Sequence, residues 1–369
     1  SEKTKKRFDI SRRGFLGSMA LALGATALGQ IGDASNKPDI FVIVSDDQGY
    51  EDLGCYGSTN IKTPNLNRLA EQGVRCTDFY VPQPLCAPTR SSFLTGRHTQ
   101  RHGYSSRTTT TPLEAGLDLS EMLLGEYLRE TGYATAAFGK WNIGFHEGGY
   151  PTQRGFDTFY GNPSGGFYFF GEGGDADSVE RALYRDTKPV SDKGYGSTLY
   201  IDAAIDFMDK NADRPVFEYI AFVAPHVPID DARRKPWAPP QYLNRYGGLE
   251  GIDPATKEWW RRNYMASVTA MDAEIGRLLE KIESRGRTRD TLIVFFSDNG
   301  GNPNNGASNK PYRGGKKNLL EGGIRVPCIV KWPAALPKGN VCNAPLYAMD
   351  LFTLCAEAGS VKLPPASER

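Results

Sequence analysis

Apolar residues fall along this chain in two alternating patterns. Short unbroken apolar runs that stop at polar residues read as strands buried on both faces, and apolar positions spaced three and four apart read as helices. Asp39-Ile40-Phe41-Val42-Ile43-Val44 is a run of the first kind, closed by Ser45-Asp46-Asp47. Further runs lie at 133–138, 216–223 and 291–296. Helical periodicity occupies 64–72, 120–130, 199–210, 257–284 and 349–358. Thr63-Pro64 supplies a cap and a first-position proline for the first of these, Gly73 ends it, and Gly132 stops the second. The alternation predicts an α/β fold with a mainly parallel, mixed central sheet and helices on both faces. Residues 161–177 and 232–253, rich in Gly, Pro and aromatics, read as loops, and no internal repeat is present.

Polar residues cluster where these runs end. Asp46 and Asp47 close one strand, Pro225-His226 follow another, and Asp298-Asn299 close a third. Ligands of open α/β sheets bind beyond the carboxyl ends of the strands. Carboxylates, an amide and an imidazole are therefore expected at one edge of one sheet.

Charge narrows the function classes. The 369 residues carry a formal +1, and residues 1–34 hold six Lys/Arg against three Asp/Glu, so the remainder is slightly acidic. No concentrated basic face is expected, which argues against a nucleic-acid partner. Ser11-Arg12-Arg13-Gly14-Phe15-Leu16 precedes a Gly/Ala-rich run to Ile31. Residues 1–34 resemble a twin-arginine export signal. The run is too short and glycine-rich for a stable membrane span. The expectation is a protein handled by export machinery, periplasmic or extracellular. Six cysteines (55, 76, 86, 328, 342 and 355) form no CxxC pair, so a structural zinc site is not expected.

One segment carries a specific motif. Cys86-Ala87-Pro88-Thr89-Arg90, continuing to Thr95-Gly96-Arg97, resembles the signature C-x-P-x-R followed by T-G-R of the formylglycine-dependent sulfatases, of the alkaline-phosphatase-like superfamily. The resemblance covers 38–363, the expected catalytic domain. It implies that a formylglycine-generating maturation enzyme oxidises Cys86, that the hydrated aldehyde attacks sulfur in line, and that Arg90 holds the activated group. A helix start suits this, because its free N–H groups favour anions. Ser45-Asp46-Asp47-Gln48-Gly49 and Ser297-Asp298-Asn299-Gly300 resemble the family's metal-binding segments. Adjacent carboxylates tolerate one another beside a cation, and oxygen donors favour calcium or magnesium over zinc. The resemblance implies calcium, held by Asp46, Asp47, Asp298 and Asn299 and touching the modified Cys86.

Lys140 in Gly139-Lys140-Trp141-Asn142-Ile143-Gly144 and Lys316 in Arg313-Gly314-Gly315-Lys316 match lysines that bind sulfate oxygens, and His226 matches a general acid for the leaving alcohol. Asn142 departs from the family, which carries histidine there to deprotonate the second hydroxyl and expel sulfate; an amide cannot accept that proton near neutral pH. His146, His98 and His102 read as rim or structural residues. Each feature alone has a plainer reading: a buried cysteine before a proline, an Asp-Asn-Gly turn, solvated lysines. Together they point to hydrolysis of sulfate esters.

Arg233-Arg234-Lys235 with Trp237, and Trp259-Trp260-Arg261-Arg262, combine charge with aromatic surface, which fits a sulfated glycan substrate as well as it fits a solvated face over core tryptophans. Two rivals stand beside a glycan sulfatase. One is a formylglycine-dependent phospho- or phosphonate-ester hydrolase, and the other is a turnover-deficient sulfoglycan-binding homologue. Sulfatases usually add a small C-terminal antiparallel subdomain, which the chain is expected to lack.

Overall fold

A computed structural model describes residues 37–105, 116–165, 169–172, 182–228 and 235–365. The expected export signal, Arg233 and Arg234 lie outside the described residues.

The four predicted apolar runs form the centre of a ten-stranded sheet. The sheet strands, in chain order, are β1 (Asp39–Ser45), β2 (Val74–Cys76), β3 (Ala134–Lys140), β4 (Thr158–Asn162), β5 (Leu183–Arg185), β6 (Lys188–Val190), β7 (Val216–Ala221), β8 (Thr291–Ser297), β9 (Cys328–Lys331) and β10 (Asn340–Cys342). Their spatial order is β10-β2-β9-β8-β1-β7-β3-β4-β5-β6. β8, β1, β7, β3 and β4 run parallel, with Val42 opposite Val294 and Tyr219. β9 runs antiparallel to both of its neighbours. The expected mainly parallel, mixed sheet is therefore observed.

Alternate residues of each central strand feed two cores. Ile40, Val42 and Val44 pack with helices α2 (Cys86–Thr95), α3 (Leu124–Glu130) and α6 (Ala348–Ala358). Phe41 and Ile43 face α1 (Pro64–Gln72), α4 (Gly196–Lys210) and α5 (Lys257–Ser284). A strand buried on both faces needs apolar residues at every position, which is why these runs are unbroken.

Several boundaries differ from expectation for local reasons. The second helix begins at Leu124 rather than 120. Asp118 Oδ1 accepts bonds from Ser120 N (2.8 Å) and Ser120 Oγ (2.7 Å), holding a turn there, and Glu126 Oε2 takes the Leu123 N–H at 2.7 Å. The first helix has its expected span, but Thr63 does not cap it. Thr63 Oγ1 instead accepts from Gly54 N, and the free N–H groups of Asn65 and Leu66 are met by the buried Asp272 carboxylate of α5, at 3.1 and 2.8 Å. In the expected loop 161–177, Phe170–Glu172 pairs with Lys193–Tyr195, and in 232–253 Pro240–Leu243 forms one helical turn. No helix among the described residues is long and apolar enough to cross a membrane.

Candidate active site

Four adjacent strands, β8, β1, β7 and β3, end at one edge of the sheet, and each delivers site residues there. β1 runs into Asp46 and Asp47, β8 into Asp298 and Asn299, β3 ends on Lys140, and the loop after β7 carries His226. The loops are stitched together: Asp46 N–H donates to Ala224 O (3.1 Å) and Asp298 N–H to Ser45 O (3.0 Å).

Consecutive residues of a strand point to opposite faces, so two adjacent carboxylates share a site only if the backbone turns between them. Asp47 supplies that turn with φ of 60°. Its N–H then meets Asp298 Oδ1 at 3.2 Å. Gly139, just before Lys140, has φ of 88°, and a Cβ there would lie 2.0 Å from Ala221 O, so no other residue lets β3 and β7 close so tightly.

Cys86 opens α2, a helix with every residue buried and no polar face. Ser91 Oγ and Thr95 Oγ1 are satisfied by backbone carbonyls of their own helix, which lets hydroxyls enter the core. Cys86 Sγ lies 3.2 Å from Asp46 Oδ1 and 3.9 Å from Asp47 Oδ1. Burial, then the Asp298 and Asp46 carboxylates, push its thiol well above the ordinary range. An unmodified Cys86 is thus a protonated thiol at neutral pH and a poor nucleophile.

Around it, three carboxylates face three cations. Arg90 sends Nε and Nη2 to Asp298 Oδ2 at 3.0 and 2.7 Å, and Nη1 to Lys140 O at 2.9 Å. Lys140 Nζ donates to Asp46 Oδ2, and Lys316 Nζ to Asp47 Oδ2 at 2.7 Å. Burial would raise the Asp46 carboxyl, but Lys140, His226 and Arg90 hold it well below the carboxylate range. Asp298 is pushed up to about 6 by burial and by Asp46, despite Arg90. Both lysines are raised by their carboxylate partners against the opposing effect of burial, so both stay charged.

His226 Nδ1 is 2.6 Å from Val227 O. A carbonyl only accepts, so Nδ1 carries the proton and Nε2 presents its lone pair, 3.5 Å from Asp47 Oδ2. Burial, then Lys316, lower this ring to about 4, which keeps it neutral. Asn142 is also drawn into a left-handed conformation, φ 58°, and is 1% exposed, with neither side-chain amide atom partnered among the described residues.

The donor set can be tested for a cation. Ligand atoms of Asp46, Asp47, Cys86 and His226 lie within 4.8 Å of one another. Asn299 Nδ2 donates to Asp47 Oδ1 at 2.7 Å, while its Oδ1 is buried without a partner. An orphaned amide oxygen beside two carboxylates fits a hard cation, which prefers oxygen ligands. Asp298 already serves Arg90 and the Asp47 N–H, yet each carboxylate oxygen keeps a further lone pair.

All ten residues singled out from the sequence thus lie at this sheet edge. Two neighbours within the same acidic segments, given no role of their own in the sequence reading, belong with them. Ser297 Oγ accepts from Gln48 N and donates to Asn299 O, tying the two acidic segments together. Gln48 is fully buried with both side-chain amide atoms unpartnered. Its position after Asp46-Asp47 was the available signal, but a glutamine in a loop carries no pattern of its own. Of the two readings of the tryptophans, the described residues fit the core one. Trp237 and Trp259 are core residues, Trp237 stacked on Phe169 and edge-on to Trp259, which meets Trp260 edge-on, while Arg261 pairs with Asp52 and Arg262 with Glu258. His102 bonds Ser92 Oγ, and His146 O closes a turn by accepting from Gly149 N–H, so both serve local structure.

The chain is similar to known proteins over most of its length. A family model described as Sulfatase matches residues 38–359. The N-acetylgalactosamine-6-sulfatase of Canis lupus familiaris is 33% identical over 376 residues, covering 95% of this chain and 67% of that one. Arylsulfatase J of Mus musculus is also 33% identical, covering 86% of this chain and 52% of its own. The chain spans about two thirds or less of the length of such relatives. Among solved structures, Ps i-CgsB in complex with k-i-k-neocarrahexaose superposes with a TM-score of 0.80 at 32% identity, covering 90% of this chain and 74% of that one. PsFucS1 sulfatase from Pseudoalteromonas sp. gives 0.73 at 27% identity, covering 99% and 76%.

Proposed function

The chain belongs to the sulfatase family, and from that premise we propose that it hydrolyses sulfate esters of a sulfated glycan at the Cys86 cluster. The observation that carries this reading is the position of Cys86 at the start of buried α2, with Sγ 3.2 Å from Asp46 Oδ1 and 3.9 Å from Asp47 Oδ1. Formylglycine at residue 86 and calcium held by Asp46, Asp47, Asp298 and Asn299 would supply a hydroxyl nucleophile and a positive charge beside it.

The chain's own residues do the rest. Lys140 and Lys316 offer ammonium groups for sulfate oxygens, where charge builds as the ester bond breaks. Both pair with carboxylates that would hold calcium, Lys140 with Asp46 and Lys316 with Asp47, which keeps the two ammonium groups at the edge of the cluster. Arg90, fixed by Asp298, keeps the start of α2 in place. His226 presents Nε2 to the site. An anionic ester favours its protonation, and that proton is then at hand for the leaving alcohol. A glycan substrate is supported by the relatives, one named for N-acetylgalactosamine 6-sulfate and one bound to a neocarrahexaose. The reading also carries a maturation enzyme acting on Cys86 and, from residues 1–34, export to the periplasm or beyond.

The test is sulfate release by protein co-expressed with a maturation enzyme, on aryl sulfate and on a panel of sulfated polysaccharides. Intact mass should reveal exchange of the thiol for an aldehyde, and Cys86→Ala should abolish release. Modified protein that releases no sulfate, or that prefers aryl phosphate, would sink the proposal.

A further inference from the structure

A cleft lies beside the loops that carry the candidate site. It has a volume of about 420 Å³ and runs between residues 51–60, residues 303–310 and the first two turns of α5. Both loops continue directly from the acidic segments of the candidate site: Glu51 follows Asp47 by four residues and Pro303 follows Asn299 by four. They touch at once, because Glu51 N–H donates to Ser308 O at 3.1 Å and a Cβ on Gly49 would lie 2.2 Å from that oxygen. The second loop returns to the site through Lys316, whose N–H donates to Gly301 O at 3.2 Å. The cleft and the candidate site are therefore built on the same pair of loops.

Its lining is polar. Ser58, Thr59, Asn60 and Asn304 offer hydroxyls and amides, and no aromatic ring is available to stack a base. This suits the hydroxyl-rich edge of a sugar. The charges are unevenly committed. Arg261 is spent on Asp52 Oδ1 (3.0 Å), Gly306 O (2.6 Å) and Asn60 Oδ1 (3.2 Å), and Glu51 accepts from Ser308 Oγ. Lys257 and Lys310 are exposed and have no ion-pair partner among the described residues. Lys257 also opens a 28-residue helix, whose amino end adds positive potential.

We propose that this cleft binds a further anionic sugar residue of the glycan, with Lys257 and Lys310 meeting its sulfate or carboxylate. The inference rests on the glycan reading above and extends it from the cleaved ester to the neighbouring chain.

The experiment uses the mature, calcium-loaded protein and its K257A/K310A variant, titrated with three hexasaccharides. An ι-carrageenan hexasaccharide carries sulfate alone, a desulfated chondroitin hexasaccharide carries carboxylate alone, and an agarose hexasaccharide is neutral. At least one charged ligand should bind the native protein, more weakly at high salt. Its Kd should rise about tenfold in the variant, with kcat/KM on a small aryl sulfate within about twofold of native. The charged ligand that responds identifies the group recognised. Failure of both charged ligands to bind, equal affinity in the variant, or equally tight neutral binding overturns the proposal. If neither protein hydrolyses aryl sulfate, the hydrolase reading falls, while the titrations still decide the cleft.

Discussion

Asn142 stands out among the site residues because its surroundings leave it unused. Its amide is buried with no partner, although such a group ordinarily costs about 1–3 kcal/mol. It also holds a left-handed backbone that asparagine and histidine accept more readily than most residues. A side chain kept there at such expense is placed for something that arrives. Asn142→His fits the same backbone and adds a proton acceptor near neutral pH. The expected result is a rise in kcat on aryl sulfate of about tenfold or more, with a new acid limb in its pH profile. An unchanged profile would show that proton removal at this position does not limit turnover.

At the scale of the element, the central strand β7 contains an oddity. Glu218 is fully buried, packed opposite Phe41 and Ala136, with neither carboxylate oxygen partnered. Burial, then Asp39, push it well above the ordinary glutamate value. The folded chain therefore keeps a proton that the unfolded chain releases above that value, so stability falls as pH rises through and beyond it. Glu218→Gln should flatten that slope, and its melting temperature should exceed the native one by a margin that widens from pH 4 to pH 8. A constant difference across that range would mean Glu218 is solvated or paired in solution. Such a residue interrupts an apolar run without hiding it: 216–223 still reads as a strand because its neighbours do. The central strands and long helices were legible for that reason, and so were the site residues, which sit in short motifs at strand ends. Short outer strands such as Leu183–Arg185, next to the sheet edge, were not legible, since three residues carry no period. Nor was the start of α3, where a side chain of Asp118 outcompetes helix propensity. The capping of α1 by Asp272 joins positions over 200 apart, and no local pattern encodes it.

For the whole molecule, the decisive property is balance of charge within one cluster. Asp46, Asp47 and Asp298 are met by Arg90, Lys140 and Lys316, so these side chains together are close to neutral. Calcium would turn it strongly positive, which suits an anionic ester. A cation that binds only the folded chain stabilises it by about 2.7 kcal/mol at a hundred times its Kd. Millimolar calcium should raise the melting temperature by several degrees, magnesium by less, and a calcium chelator should reverse the effect. A melting temperature indifferent to all three would remove the metal from the site.

The concealment of residue 86 has a consequence for how the protein is made. With 6% of its surface accessible, at the start of a helix whose every residue is buried, it is open to a group the size of a sulfate but leaves no room for a second enzyme to grip the surrounding chain. Enzymatic chemistry on that sulfur must therefore precede folding or wait for an opening of the chain. Unmodified protein that has already folded should resist conversion by the maturation enzyme until it is unfolded.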